Sequence, residues 1–320
     1  MLLLGTACFG GVAFRVGNML LMPDLSRRAA LRLGAGAFAG ATGVWALGAL
    51  VDPVAVPAMP SPSDPGQPAA PPDPAVAAPL PTPPLAAPLP TRESGAFISA
   101  ARGGVLTNWI IARPPGQIGP LRPVIALHGV RGSAKQVMSF GVEQAQAELA
   151  KAGRPPFAVV AVDGGDSYWH RRAGGEDAGS MVLNELIPML PAMGLDISRI
   201  GFIGWSMGGY GAMLLGARLG LARTAGICAV SPALYQSYTA STIGAFDSYD
   251  DWTKNTVFGL PALSAIPLRV DCGNDDQFSP ATHQFIAQLH KPPAGGFTPG
   301  GHDEAYWRQQ LPGELAWLSS

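Results

Sequence analysis

Residues 204–208, Gly-Trp-Ser-Met-Gly, form the pattern G-x-S-x-G, with a glycine two positions from the serine on each side. An apolar stretch, 200–205, precedes the serine, and glycine-rich sequence follows it. This order predicts a strand, a tight turn and a helix, with the Ser206 hydroxyl at the apex of the turn. Because the backbone at such an apex is strained, side chains two residues away on either side would collide. The pattern therefore predicts that Ser206 is a nucleophile.

A serine hydroxyl is a weak nucleophile unless a general base removes its proton. Of the five histidines of the chain, three follow the serine: His283, His290 and His302. His283 and His290 are seven residues apart on one face of a predicted helix, where ordinary packing accounts for them. His302 lies in a loop before the last predicted helix, which suits a base that reaches over the edge of a sheet. His302 is therefore the predicted base.

A carboxylate between the serine and the histidine is needed to fix the histidine tautomer and to stabilise the imidazolium. The acidic residues Asp247, Asp250 and Asp251 are interpreted as solvated surface charges. Asp275 and Asp276 follow a predicted strand and are the better candidates. We favour Asp276 because it lies deeper in the loop and nearer to the expected position of the histidine, and Asp275 stays the alternative.

An ester carbonyl that is attacked by a serine becomes an oxyanion, which needs N–H donors. The Met207 amide, next to the nucleophile, and the Val130 amide, in the loop after the first long buried strand, are the predicted donors. His128 either holds this loop by a hydrogen bond or forms a polar wall of the pocket. Arg131 either contacts a substrate carboxylate or braces the loop through a nearby aspartate. Trp205 is a further candidate for the substrate pocket.

The elements that must position these groups alternate along the chain. Strands are predicted at 97–101, 105–112, 124–127, 157–162, 200–205, 227–231 and 268–272, and helices at 133–151, 180–193, 207–219, 280–290 and 304–317. Continuous apolar strands that alternate with helices are typical of a mainly parallel sheet with helices on both faces. An irregular segment, 232–266, carries many aromatic residues. It forms either a cap over an apolar acyl pocket or part of the ordinary packing.

Three regions of different composition divide the chain. Residues 1–51 are predicted to be an upstream extension followed by an export signal or a membrane anchor. The signal is S-R-R-x-x-L at 26–31, of the twin-arginine type, before an uncharged apolar run at 33–51. Nearly half of the prolines lie in residues 52–91, which predicts a disordered linker. The folded domain is expected at 92–320, in an exported protein that is secreted or associated with the cell envelope.

Composition argues against several other classes of protein. A net charge of −1 and a charged fraction of 13% give no reason to expect a nucleic-acid partner. Three cysteines are too few and too scattered for a disulfide scaffold or a zinc site, so Cys228 and Cys272 are predicted to be buried free thiols. The histidines and carboxylates show no metal-ligand spacing. We therefore expect neither a metal nor a cofactor.

Five motifs together extend beyond the serine pattern. They are His-Gly at 128–129, Asp-Gly-Gly at 163–165 with Tyr-Trp-His at 168–170, the serine motif at 204–211, Cys-Gly-x-x-Asp-x-Phe at 272–278 and Gly-Gly-His-Asp-x-x-Tyr-Trp at 300–307. In this order, over residues 95–318, the chain resembles the esterase D branch of the α/β-hydrolases. That branch includes S-formylglutathione hydrolases and secreted mycobacterial mycolyltransferases and esterases.

The resemblance implies an α/β-hydrolase fold in which Ser206, Asp276 and His302 form a catalytic triad, with Val130 and Met207 as oxyanion donors. It implies a serine carboxylic-ester hydrolase that forms an acyl-enzyme with a small-molecule or lipid ester. The trehalose site and acyl tunnel of the mycolyltransferases have no match in this sequence, and S-formylglutathione hydrolases are normally cytoplasmic. An exported ester hydrolase is therefore expected. Acyl transfer to a sugar or lipid hydroxyl, and a non-catalytic envelope protein, are the alternatives.

Overall fold

A computed structural model describes residues 88–320. The predicted extension and signal, 1–51, and almost all of the predicted linker lie outside the described residues. The first strand begins at Arg92. Within residues 88–320, no helix combines the length and the apolar character needed to cross a membrane.

Eight strands form one sheet that is mainly parallel. They are β1 Arg92–Ser99, β2 Val105–Ala112, β3 Arg122–Leu127, β4 Phe157–Val162, β5 Ile200–Trp205, β6 Thr224–Val230, β7 Leu268–Gly273 and β8 Ala294–Thr298. The strand order is β1-β2-β4-β3-β5-β6-β7-β8. The β1–β2 and β2–β4 pairs are antiparallel, and the other pairs are parallel. With helices on both faces, this is the α/β-hydrolase fold that the sequence predicted.

The helices alternate with the strands, as expected. They are α1 Ala134–Ser139, α2 Val142–Lys151, α3 Ala178–Ser180, α4 Ile187–Met189, α5 Met207–Leu219, α6 Tyr249–Asn255, α7 Pro261–Ala265, α8 Ser279–Ala287 and α9 Glu304–Leu318. A π-helix, Met181–Leu186, joins α3 to α4, and a 3-10 turn, Leu190–Met193, follows α4. This interruption was expected from Pro188 and Pro191, because proline has no N–H for the helical ladder.

The elements differ from the prediction in two places. The single helix expected at 133–151 is two helices, because the chain turns at Gly141, whose φ is 106°. Ser133 does cap the first of them, by accepting a 3.2 Å hydrogen bond from the Gln136 amide. Strand β8 was not predicted. It contains two glycines and one large apolar residue, and it forms only because β7 offers it a parallel edge.

Two hydrophobic layers cover the sheet, so the central strands are buried on both faces. Residues such as Ile125 and Phe202 pack against α5 on one face. Their neighbours Val124 and Ile203 pack on the other face, with α1, α2 and α9. Because the parallel strands share one direction, the loops after their carboxyl ends meet at one edge of the sheet.

The interpretation of the acidic residues at 247–251 as solvated charges is wrong for one of the three. Asp247 is exposed, as interpreted, and forms an ion pair with Arg172, at 2.7 Å. Asp251 is the exception, because its side chain is only 16% exposed. Asp251 accepts hydrogen bonds from the side chain of Asn255, at 2.7 Å, and from the Asp247 amide, at 2.9 Å. Asp250 is exposed, as expected. The sequence did not indicate these contacts. Arg172 lies in a distant loop, and the contacts of Asp251 form only when residues 247–255 fold.

Candidate active site

Ser206 lies at the sharp turn between β5 and α5. Its φ of 57° and ψ of −118° are a strained backbone conformation for a residue with a side chain. A methyl group on Gly204 would lie 2.1 Å from the Gly208 carbonyl oxygen, and one on Gly208 would lie 1.9 Å from the Leu127 carbonyl oxygen. The predicted collisions on both sides of the serine are thereby confirmed. Only glycine allows the strand, the turn and the helix to approach so closely.

Three side chains from distant loops form one chain of hydrogen bonds. His302 follows β8, and its Nε2 lies 2.8 Å from Ser206 Oγ. Its Nδ1 lies 2.9 Å from an oxygen of Asp276, in the loop after β7. The second oxygen of Asp276 accepts a 2.8 Å hydrogen bond from the Phe278 amide. The structure therefore brings together the serine, the histidine and the favoured aspartate.

The alternative candidates lie elsewhere. Asp275 is exposed, and its amide donates to the Gly300 carbonyl oxygen at 3.0 Å. His283 stacks on Phe297, with ring centroids 3.6 Å apart. His290 lies beyond the end of α8 and is exposed. Ordinary packing and solvation therefore account for these three residues, as the sequence favoured for both histidines.

Charge at Asp276 fixes the histidine tautomer. Burial of the carboxyl would raise its pKa, but the hydrogen bonds from His302 and the Phe278 amide outweigh this effect and leave the pKa lowered. An ionised Asp276 accepts a hydrogen bond from the Nδ1–H of His302, so the neutral imidazole presents a bare Nε2 to the Ser206 hydroxyl. This tautomer is the one that can remove the hydroxyl proton.

Two aromatic rings hold the His302 imidazole. Phe278 contacts it edge-on, with centroids 5.1 Å apart, and Trp307 contacts it at 5.3 Å and 88°. The histidine side chain retains 19% of its exposure. Sequence reasoning quoted both aromatics as motif members without assigning them this contact. Their spacing, two residues after the acid and five after the base, was the available signal.

The loop after β3 passes over the nucleophile. A methyl group on Gly129 would lie 4.0 Å from Ser206 Oγ. Neither the Val130 amide nor the Met207 amide has an acceptor among residues 88–320. Met207 is the first residue of α5, where helical N–H groups are left without partners. Among the described residues both amides are therefore unpaired donors on segments that adjoin the serine, and their role as oxyanion donors stays a prediction.

Two aspartates hold this loop through its backbone. Asp166 accepts a 2.6 Å hydrogen bond from the Arg131 amide, and Asp163 accepts a 2.7 Å hydrogen bond from the Ala134 amide. Arg131 has a φ of 58°, a strained value that these contacts stabilise. Its side chain is exposed. The predicted brace through Asp166 therefore exists, but the backbone of Arg131 makes it.

His128 and Trp205 do not line an open pocket. The pocket assignment is therefore corrected for both, and His128 instead holds its loop by hydrogen bonds, which was the other alternative for this residue. His128 is 1% exposed, accepts at Nε2 from the Gly164 amide at 2.9 Å, and so donates at Nδ1 to the Gly129 carbonyl oxygen. Burial lowers its pKa, which favours this neutral form. Trp205 is 1% exposed and packs edge-on against Phe140, at 5.1 Å. Its indole turns into the core because a strand directs successive side chains to opposite faces.

A cavity of about 390 Å³ lies beside the histidine. It is lined by Leu234, Tyr235, Gln236, Ser237, Ala240, Thr242, Gln277, Phe278, Pro280 and Ala281, none of which is charged. Phe278 lies between His302 and the cavity, because its ring contacts both His302 and the lining residue Tyr235. Part of the segment 232–266 therefore borders a cavity. Of the other aromatics in this segment, Phe246 is buried, Trp252 and Phe258 are partly buried against the core, and Tyr249 is exposed.

Both described cysteines are buried and free, as predicted. Burial raises the pKa of the Cys272 thiol to about 12. Burial also raises the pKa of Cys228 well above its ordinary value. Each thiol is therefore protonated at neutral pH unless another group compensates the thiolate charge.

Solved structures share this fold. No family model matches the chain, and no curated protein matches it in sequence. A ferulic acid esterase superposes with a TM-score of 0.62 at 18% identity, over 71% of this chain and 97% of its own. An S-formylglutathione hydrolase from Agrobacterium tumefaciens has a TM-score of 0.58 at 19% identity, over 71% and 94%. MPT51 from Mycobacterium tuberculosis has a TM-score of 0.58 at 19% identity, over 71% and 97%.

These likenesses establish the α/β-hydrolase fold. They include an S-formylglutathione hydrolase and a mycobacterial protein, the two groups to which the sequence motifs pointed. Each match covers almost the whole of the solved chain and about seven-tenths of this one. The remainder corresponds in length to the N-terminal residues outside the described part.

Proposed function

We propose that this protein is a serine carboxylic-ester hydrolase. The observation that carries the proposal is the continuous chain of hydrogen bonds from Asp276 through His302 to Ser206. It ends at a hydroxyl on a strained turn, beside two amides that have no acceptor among residues 88–320. This is the arrangement that acyl transfer requires. Fold likeness to proteins described as esterases is consistent with it.

Acylation follows from the positions of these atoms. His302 Nε2 takes the Ser206 hydroxyl proton as Oγ attacks the ester carbonyl carbon. The carbonyl oxygen becomes an oxyanion and accepts hydrogen bonds from the Val130 and Met207 amides. When the intermediate collapses, the bond to the leaving oxygen breaks. The imidazolium gives its proton to that oxygen, which departs as the alcohol and leaves an acyl-enzyme.

Deacylation repeats these steps with water. His302 removes a proton from the water as its oxygen attacks the acyl carbon, and the same two amides receive the oxyanion. The intermediate then releases Ser206, which recovers its proton from the imidazolium, and the carboxylic acid leaves. Asp276 stays ionised throughout, because the positive imidazolium beside it favours the charged carboxylate.

The uncharged cavity beside His302 favours an ester with an uncharged group of moderate size. Five of its lining side chains carry hydroxyl or amide groups, which can bind hydroxyls of a substrate. A carboxylate would lose its hydration there without gaining an ion pair. We therefore expect an uncharged ester to have a higher kcat/KM than the matched ester with a carboxylate on the same group.

Two measurements on the full-length protein test the function. A fluorophosphonate, which reacts with activated serines, is expected to label Ser206, and short-chain p-nitrophenyl esters are expected to be hydrolysed. An unlabelled and inactive folded protein would contradict the proposal and favour a non-catalytic envelope protein.

Product analysis with added alcohols shows whether the acyl group passes to water or to another acceptor. Ester products in excess of acid would identify an acyltransferase.

Replacing Asp276 by asparagine is expected to lower kcat about 10⁴-fold. The amide presents an N–H to His302 or loses the charge that stabilises the imidazolium, so the productive tautomer is lost. The matched control is Asp275→Asn, which alters the adjacent, exposed residue and is expected to change kcat less than about twofold. Steady-state kinetics on a p-nitrophenyl ester measures both. Equal losses in the two variants would contradict the assignment of the acid.

We also propose that the protein is exported. The motif S-R-R-x-x-L at 26–31 and the apolar run at 33–51 support this proposal. Changing Arg27 and Arg28 together to lysine is expected to retain the precursor in the cytoplasm. Cell fractionation measures this, and an unchanged distribution would contradict a twin-arginine route.

A further inference from the structure

Three buried side chains with metal-binding atoms lie close together on the face of the sheet that α9 covers. Cys228 lies on β6, Asp271 on β7 and Glu314 on α9, and their exposures are 0%, 3% and 0%. One sulfur or carboxylate oxygen from each lies within 4.8 Å of the others. The cluster is on the α9 face of the sheet, whereas α5, which follows the proposed nucleophile, lies on the other face.

Glu314 is the feature that ordinary packing does not explain. Neither of its carboxyl oxygens has a hydrogen-bond partner among the described residues, although the side chain is fully buried. An unpartnered carboxyl in an apolar interior is costly, and an ionised one is far more costly. Burial raises its pKa well above the ordinary value, and the nearby Asp271 adds to this effect. A bound cation would satisfy both oxygens and remove the cost.

The charges of the cluster fit a divalent ion. A thiolate and two carboxylates together carry three negative charges. Arg269 supplies one positive charge by binding both oxygens of Asp271, at 2.6 and 3.0 Å. The remaining charge of −2 is cancelled by one divalent cation. Arg269 occupies one lone pair on each oxygen of Asp271, and the Gly296 backbone also donates to this carboxylate. One oxygen therefore keeps a lone pair for such an ion, and Arg269 would orient this ligand from behind.

We propose that Cys228, Asp271 and Glu314 bind one divalent transition-metal ion in a structural role. Zinc is the ion used in the geometry and the tests below. Tetrahedral zinc, with bonds of about 2.3 Å to sulfur and about 2.0–2.2 Å to oxygen, holds its ligand atoms about 3.3–3.7 Å apart. The three ligand atoms of the cluster lie within 4.8 Å of one another, so binding requires the most distant pair to approach by no more than about 1.5 Å. A thiolate ligand selects zinc over magnesium or calcium. Because the site is closed to solvent, the ion enters as the chain folds.

Sequence reasoning expected no metal because it searched for ligands with local spacing. Here each ligand comes from a different element, and only the β6–β7 pairing and the packing of α9 unite them. The role is structural, since the ion joins the last helix to the sheet. It is separate from the proposed hydrolysis, which uses none of these residues.

Metal content of the full-length protein tests the proposal directly. Protein produced with zinc is expected to hold about one ion per chain, and cobalt-loaded protein is expected to show a near-ultraviolet thiolate charge-transfer band. Cys228→Ala and Glu314→Gln are expected to lose the ion. The matched control, Cys272→Ala, removes the other buried thiol and is expected to keep both signals. Metal-free wild-type protein, or equal metal content in all variants, would overturn the proposal.

Thermal unfolding gives a second measurement if Cys228→Ala does not fold. Zinc is expected to raise the Tm of the wild type above its value in chelator by about 5 °C or more. Glu314→Gln resembles the protonated carboxyl, so it is expected to unfold in chelator at the wild-type Tm or higher, with no response to zinc. A wild-type Tm that does not respond to zinc would mean that Glu314 is simply a buried neutral acid.

Discussion

Replacing Ser206 by alanine is expected to lower kcat about 10⁶-fold for a short-chain p-nitrophenyl ester. The substitution removes the atom that attacks the carbonyl carbon and leaves His302 without a proton to take. The remaining hydrolysis is direct attack by water on the bound ester, assisted only by the oxyanion donors and by substrate binding. The structure predicts little cost in folding, because the strained turn and its flanking glycines are unchanged. Steady-state kinetics and a thermal melt on the full-length protein measure the two effects.

Ser198→Ala is the matched control for this substitution. Ser198 is exposed and lies just before β5, at the opposite end of the strand from Ser206. We expect its kcat to equal that of the wild type within about twofold. If Ser206→Ala kept most of the activity while Ser198→Ala behaved normally, acyl-enzyme formation on Ser206 would be wrong. Loss of activity in both variants would point to misfolding.

The sequence predicted the proposed site better than it predicted the surroundings of the site. The buried strands before Ser206 and Asp276 are apolar runs, and the G-x-S-x-G pattern has one conformation that glycine makes accessible. His302 could then be chosen by elimination among five histidines. Each of these steps depends on local chemistry, which a sequence displays directly.

The errors have a common physical cause. Strand β8 exists because β7 provides an edge for its backbone, and its own side chains carry no strand signal. The orientation of Trp205 depends on which face of β5 carries its side chain, and that face is covered by core residues. Asp251 is half-buried beside His170, which comes from a loop that is distant in sequence. Tertiary contacts decide all three, and no local pattern contains them.

Glycine at position 208 connects the fold to the proposed chemistry. Its α-carbon lies where α5 begins, and the backbone of Leu127 and His128 passes beside it. A methyl group there would lie 1.9 Å from the Leu127 carbonyl oxygen, 2.5 Å from the Leu127 carbonyl carbon and 2.7 Å from the His128 carbonyl oxygen. These are backbone atoms of β3 and of the loop that carries Val130. They cannot rotate away as a flexible side chain would.

Gly208→Ala is therefore expected to lower the free energy of unfolding by about 4 kcal/mol or more, a loss at the upper end for single substitutions. Any folded fraction must move α5 away from the end of β3, which separates the Met207 amide from the Val130 amide. A shift of about 1 Å costs about 10²-fold in rate, so the folded fraction is expected to lose activity as well. Denaturant unfolding and kinetics on the same sample measure both losses.

Gly174→Ala makes the same chemical change where nothing lies within 4 Å of the added methyl group. It is expected to change the free energy of unfolding by no more than about 0.5 kcal/mol and to leave kcat unaltered. A Gly208→Ala protein as stable as Gly174→Ala would show that α5 can move away from the end of β3 without lowering the free energy of unfolding. The close approach of α5 to the β3 loop would then not be what holds the two oxyanion donors together.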